Sequence, residues 1–182
     1  MEFLEKDLEN IIWEASDEQL EKAGLEVRGK RFRQLKIGQY GIADFVTVER
    51  QSIYSEYHYI QTGKCRPIDN YLLITIYELK KDKIGISAFL QAIRYAKGIQ
   101  SYLTNQRDFS DFVFKIVLIG SNVDTSGSVC FLPDLISVCP TSDERITHKG
   151  SIESIAFYTY HISIDGLNFE YHSNYKLINE GF

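Results

Sequence analysis

Apolar residues first recur at helical spacing. Leu4, Leu8, Ile11, Ile12 and Ala15 form one stripe, which predicts an amphipathic helix ending before Ser16 and Asp17. Those two polar residues suit the cap of a short second helical turn. After Gly24 the period changes to two: Arg31 to Ile37 and Ile42 to Glu49 read as strands of a hairpin, joined by Gly38-Gln39-Tyr40-Gly41. Residues 50 to 70 are polar and Tyr-rich, with turn signals at Gly63, Pro67 and Asp69-Asn70, and read as an elaborated hairpin or loop.

Tyr71 to Lys80 is apolar on both faces until its end, the pattern of a central strand covered on two sides. Gly85 breaks the chain, Ser87 can cap, and Phe89, Leu90, Ile93, Ala96, Ile99, Tyr102 and Leu103 mark a helix reaching about Gln106. Asp111 to Gly120 returns to strand, so the centre reads as a βαβ crossover, expected to be right-handed. A Ser/Gly/Thr loop follows Ser121, then a short segment around Phe131 to Val138. The last pattern is a hairpin, Ile155 to Ile164 and Leu167 to His172, turning at Asp165-Gly166. The fold class expected is α/β, one domain over 1–182. It comprises a mixed-sheet core over 1–120 and an accessory β region over 121–182 packed on that core.

With 182 residues, 44% hydrophobic and 25% charged, the chain can bury a sizeable core, and disorder or a fibre is excluded. No apolar run approaches the roughly 20 residues of a membrane span, and the acidic start lacks the basic region of a signal peptide. Cys65, Cys130 and Cys139 are odd in number and show no metal-ligand spacing, which suits a reducing, cytoplasmic setting.

The net charge of −5 hides three blocks: −6 over residues 1–23, +7 over 24–107 and −6 over 108–182. The basic middle holds two local groups, Arg28, Lys30, Arg31, Arg33 and Lys36, and then Lys80, Lys81, Lys83, Arg94 and Lys97. Either could meet a polyanion, and either could be a solvated face balanced by acidic neighbours.

Four positions could carry chemistry. At the end of the central strand, alternation puts Glu78 and Lys80 on one face, roughly 6 to 7 Å apart. Such a pair is costly at the mouth of an apolar strand unless it is paired or holds an ion; a structural ion pair is the plainer account. Asp44 interrupts the series Ile42, Val46 and Val48 and would converge on Glu78 if the two strands are neighbours. Two such carboxylates suit a hard cation such as Mg²⁺, the alternative being a hydrogen bond within the glycine-rich turn. On the first helix Glu5 falls about 20° from Ile12 and Glu9 about 60°, with Glu2 further still, so Glu5 is the acid most able to look inward. Gln91 and Tyr95 share a face of the long helix and either point together at a site or form a core Tyr beside a surface Gln.

In their order along the chain, Glu5, Gly41-Ile42-Ala43-Asp44, Glu78-Leu79-Lys80 and Gln91-Ala92-Ile93-Arg94-Tyr95 resemble the PD-(D/E)xK nuclease superfamily. The resemblance covers about residues 1 to 120 and implies a restriction endonuclease-like α-β-β-β-α-β core. It also implies Mg²⁺ on Asp44 and Glu78 with support from Glu5, Mn²⁺ being a substitute. Lys80 would position or activate the attacking water, and Gln91 and Tyr95 would match the QxxxY motif of one subset. Ala43 stands where the family has Pro, which removes no ligand. The activity implied is hydrolysis of phosphodiester bonds, in DNA for most of the family, with Arg31, Arg33, Lys36, Lys81 and Arg94 as contacts to nucleic acid. A homodimer or larger complex stays open. Two other functions compete: a non-catalytic nucleic-acid-binding or assembly subunit of the same fold, and an interaction domain using the Tyr-rich stretch from Tyr54 to Tyr71. No GxSxG, P-loop, HExxH or strand-linked GxGxxG motif is present.

Overall fold

The computed structural model describes residues 4–54, 67–106, 111–124, 150–164 and 166–172. Helix α1 (Glu5–Glu14) leads into α2 (Asp17–Lys22). Ser16 Oγ accepts from Gln19 N while Gln19 Oε1 accepts from Ser16 N, a reciprocal cap that lets so short a helix start one residue after the first has closed. Strands β1 (Lys30–Lys36) and β2 (Ile42–Tyr54) form the first hairpin around a 3₁₀ turn, Gly38–Tyr40. Next come β3 (Pro67–Leu79), a two-residue β4 (Lys83–Ile84), helix α3 (Ile86–Thr104) and β5 (Phe112–Gly120). A two-residue β6 (Asn122–Val123), then β7 (Ile152–Ser163) and β8 (Gly166–His172), complete the order.

Six strands make one mixed sheet in the order β1-β2-β3-β5-β7-β8. The outer pairs are antiparallel, and β3-β5 and β5-β7 are parallel. The chain is therefore α/β, with α3 forming the crossover from β3 to β5. One face of the sheet packs Ile74, Ile76, Phe114 and Ile116 against Ala88, Ala92, Tyr95 and Ala96 of α3. The other packs Phe45, Tyr77, Leu79, Val117 and Ile119 against Leu8, Ile12 and Leu20 of the first two helices. Double coverage is why β3 and β5 read as apolar on both faces.

Two expectations take a definite form and one changes. Residues 50–54 and 67–70 take the hairpin alternative rather than the loop: they lengthen β2 and β3, paired from Arg50↔Leu72 to Tyr54↔Pro67, because cross-strand pairing satisfies their backbone. The cap of α3 is Gly85 rather than Ser87, and the helix ends at Thr104. The C-terminal strands β7 and β8 extend the same sheet through β5. The segment around Phe131 to Val138, Asp165 and all three cysteines lie outside the described residues. Among the described residues no helix is long and apolar enough to cross a membrane.

One irregularity shapes the site. Val46 and Ala43 both pack on the α3 side, as do their hairpin partners Phe32 and Leu35, although three residues separate each pair along its strand. Regular alternation would send them to opposite faces. Both strands therefore turn over once, beside Gln34 and Asp44, and Gln34 carries the break with a positive φ of 48°. That conformation costs a non-glycine residue of order 1 kcal/mol.

Candidate active site

The candidate residues meet where β3 ends. The β2–β3 ladder is paired as far as Phe45↔Tyr77, and just beyond it Asp44 reaches the end of β3 at the backbone of Leu79, the residue after Glu78. Glu78 is 0% exposed, a carboxylate taken wholly out of water. Its Oε1 accepts from Lys80 Nζ at 2.6 Å, and its Oε2 is buried with no hydrogen-bond partner among the described residues. Burial pushes its pKa up to about 7 from an ordinary 4.5, against the lowering effect of Lys80 and with a further rise from the charges of Asp44 and Glu5.

Asp44 Oδ2 accepts a long hydrogen bond, 3.5 Å, from Leu79 N. Its pKa is also raised, chiefly by burial and then by Glu5 and Glu9, while the Leu79 N–H and Lys80 pull it down. Burial alone would lower the pKa of Lys80, but the hydrogen bond and charge of Glu78, with Glu5 and Asp44, more than offset this and raise it. Lys80 is thus a cation at neutral pH. Helix α1 supplies Glu5, whose Oε2 accepts from Lys81 N at 3.3 Å and so ties the helix to the chain just beyond β3. Strand β7 contributes Tyr160, whose hydroxyl donates to the Lys81 carbonyl at 2.5 Å.

On α3, Gln91 Nε2 donates to the hydroxyl of the buried Tyr95 at 2.7 Å. A Cβ at Gly41 would stand 3.1 Å from the Tyr95 ring and 3.2 Å from the Arg94 guanidinium. With φ at 111°, Gly41 lets the strand carrying Asp44 start hard against that part of α3. The pair therefore adjoins the start of β2 rather than Glu78, to which no described hydrogen bond links it.

Glu9 departs from the helical-wheel expectation. It is 8% exposed, gripped by Arg33 Nε at 2.5 Å and by Gln34 Nε2 at 2.8 Å, whereas Ile11 on the apolar stripe is 40% exposed. The wheel sees one helix only; it could not foresee that the turnover at Gln34 aims two neighbouring β1 side chains at the same carboxylate. Arg33 also donates to Asn10, and Arg31 to Asp17 and to the carbonyls of Ile12 and Ala15. Both guanidinium groups, expected to face nucleic acid, instead clamp α1 to the sheet. Lys36 and Arg94 are exposed, Arg94 lying 5.6 Å from the Tyr95 ring centroid, and Lys81 is half-buried. No sequence signal marks Gln34, Glu9 or Tyr160 as part of this neighbourhood.

Among the described residues no group of three or more His, Cys, Asp or Glu side chains is placed to hold a metal ion. A Mg²⁺ ion is commonly held by one or two carboxylates, its other positions going to water and substrate phosphate. The donor chemistry at β3 fits that pattern, since Glu78 Oε2 is a hard oxygen buried without a partner among the described residues and Asp44, close enough for its charge to raise the pKa of Glu78, sits at Leu79 N. Neither a family model, nor a curated protein, nor a solved structure matches the chain.

Proposed function

We propose that the protein is a metal-dependent nuclease that hydrolyses phosphodiester bonds, with DNA as its substrate. The observation that carries this reading is the end of β3: a fully buried carboxylate with one oxygen on a lysine and the other without a partner among the described residues, and a second carboxylate, Asp44, on the backbone of the next residue, Leu79. A merely structural ion pair would gain from satisfying both oxygens. The order helix, hairpin, central strand, crossover helix, strand from Glu5 to Gly120 supports the restriction endonuclease-like core that the resemblance implies.

Asp44 and Glu78 would hold Mg²⁺, with Mn²⁺ as substitute and Glu5 in support. A bound ion would supply Lewis-acid charge and a more acidic water. Lys80 has its own task. Water attacks phosphorus while negative charge grows on the phosphate oxygens, and the ammonium, oriented by Glu78, places a fixed positive charge beside them. Its raised pKa makes it a hydrogen-bond donor and charge stabiliser, not a base that takes the proton from water. The Gln91–Tyr95 pair steadies the chain leading into Asp44 through Gly41.

The test is cleavage of single-stranded, duplex, flapped and branched DNA with Mg²⁺ or Mn²⁺, comparing wild type with Glu78→Ala and Lys80→Ala. Metal-dependent cutting lost in both folded variants supports the proposal. Salt-sensitive binding without cutting of any substrate would sink it in favour of a binding subunit.

A further inference from the structure

Beside this site lies a groove of about 970 Å³, floored by the sheet and walled by the C-terminal half of α3 and the 3₁₀ turn. It exists because α3 crosses β3 and β5 and leaves the α3-side face of the β1–β2 hairpin partly uncovered. The floor is apolar, with Phe32, Val46, Val48, Leu72 and Ile74, and the wall adds the rings of Tyr40 and Tyr102. Tyr102 is 64% exposed, an unusual amount of ring to leave in water on a packed helix. Gly98 makes the inner corner: a Cβ there would come 2.4 Å from Ile37 and 2.7 Å from Tyr40, so glycine alone lets the turn close on α3.

The charged lining is of one sign. Lys30, Lys36 and Arg50 border the groove, and no Asp or Glu does, in a protein whose net charge is −5. None of the three forms an ion pair among the described residues, in contrast to Arg31 and Arg33 on the same hairpin. Lys30 Nζ lies 5.3 Å from the Phe32 ring centroid. Lys30 and Lys36 stand six residues apart on β1, about 20 Å at strand rise, with Arg50 two residues beyond Val48, the partner of Lys30. Positive charge at both ends of an apolar, ring-bearing trough matches a ligand that alternates flat apolar faces with repeated anions. A single-headed amphiphile would use one end only, and the bases of a duplex have their faces already stacked.

We propose that the groove binds an unpaired nucleic-acid strand, its bases on the rings and apolar floor and its phosphates along Lys30, Arg50 and Lys36. Tyr40 of its lining immediately precedes Gly41, and Gly98 lies one helical turn from Tyr95, so the groove neighbours the start of β2, although Asp44 itself does not line it. Resting on the nuclease reading above, the substrate class is then DNA with a single-stranded end or flap.

The experiment is fluorescence anisotropy with labelled oligothymidylate and a blunt duplex of equal length, in EDTA so that nothing is cut, using the full chain. The single strand is expected to bind more tightly than the duplex. The slope of log affinity against log salt should lie near −2 for three phosphates and become shallower by about 1.4 in Lys36→Ala/Arg50→Ala. Tyr102→Ala should weaken binding about ten-fold, and its exposed position leaves folding intact. Equal or tighter binding of the duplex overturns the proposal, as does binding indifferent to Tyr102 and the two cations, or capture of an anionic acyl probe or an acidic peptide in place of the oligonucleotide. Retained strand binding without cleavage under Mg²⁺ would refute the nuclease alone; cleavage of blunt duplex without strand binding would refute the groove alone.

Discussion

Lys80 Nζ lies 2.6 Å from Glu78 Oε1, while the other oxygen of the same fully buried carboxylate has no partner among the described residues. The two residues are two apart on one chain, yet their roles are unequal. Lys80 is a quarter exposed and keeps contact with water; Glu78 has none. Removing the lysine strands the carboxylate. Lys80→Ala should therefore lose roughly 3 kcal/mol in urea denaturation, and Glu78→Gln distinctly less, because it removes the buried charge itself. On any cleaved substrate Lys80→Ala should slow turnover about 100-fold or more. A Lys80→Ala protein as stable and as active as wild type would contradict both roles.

The pH dependence of stability follows from Glu78. Its folded pKa of about 7 stands above an ordinary 4.5, so the folded chain holds a proton that the unfolded chain has lost. Below about 4.5 both states are protonated and Glu78 contributes nothing. Between about 4.5 and 7 its contribution falls as pH rises, by up to about 3 kcal/mol, and levels off above. Denaturation from pH 4 to 8 in EDTA should show this decline in wild type and lose it in Glu78→Gln. Mg²⁺ should bind more tightly as pH rises through the same window and release protons as it does, which calorimetry in buffers of different ionisation enthalpy would read.

Arg33 joins Nε to Glu9 and Nη2 to Asn10 across the interface of β1 and α1. A planar fork makes both bonds at once, and an ammonium cannot. Arg33→Ala should cost about 2 to 3 kcal/mol by leaving the buried Glu9 short of its cation, and Arg33→Lys should recover little of it. Its effect on nucleic-acid affinity should be small beside that of Lys36. A stable Arg33→Ala protein with impaired DNA binding would return this residue to the nucleic-acid surface.

Gly98 sets two terms against each other. Alanine in mid-helix gains about 1 kcal/mol of helix propensity. Its Cβ, however, would meet Ile37 at 2.4 Å and Tyr40 at 2.7 Å, forcing the 3₁₀ turn away at a cost of about 1 to 3 kcal/mol. Gly98→Ala should therefore leave the melting temperature unchanged or lower, never higher, and disturb oligonucleotide binding more than stability. A rise in melting temperature would show that the turn moves freely.

Sequence periodicity alone determined much of this protein. The stripe from Leu4 to Ala15, the run from Tyr71 to Lys80 that is apolar on both faces until its end, the strand from Asp111 to Gly120 and the helix between them were legible because burial on one face or two leaves a local mark. So was the Glu78–Lys80 pair, whose contact needs only strand alternation. Long-range relations left no such mark. That Glu9 is buried rather than exposed, that Arg31 and Arg33 grip α1, and that Asp44 reaches the backbone of Leu79 all depend on which strands are neighbours and on the turnover at Gln34. The groove at Tyr102 depends on where α3 stops covering the hairpin. Periodicity reports how a residue stands to its own helix or strand; what a charge does is decided by the partner that reaches it, and that partner comes from another element of the fold.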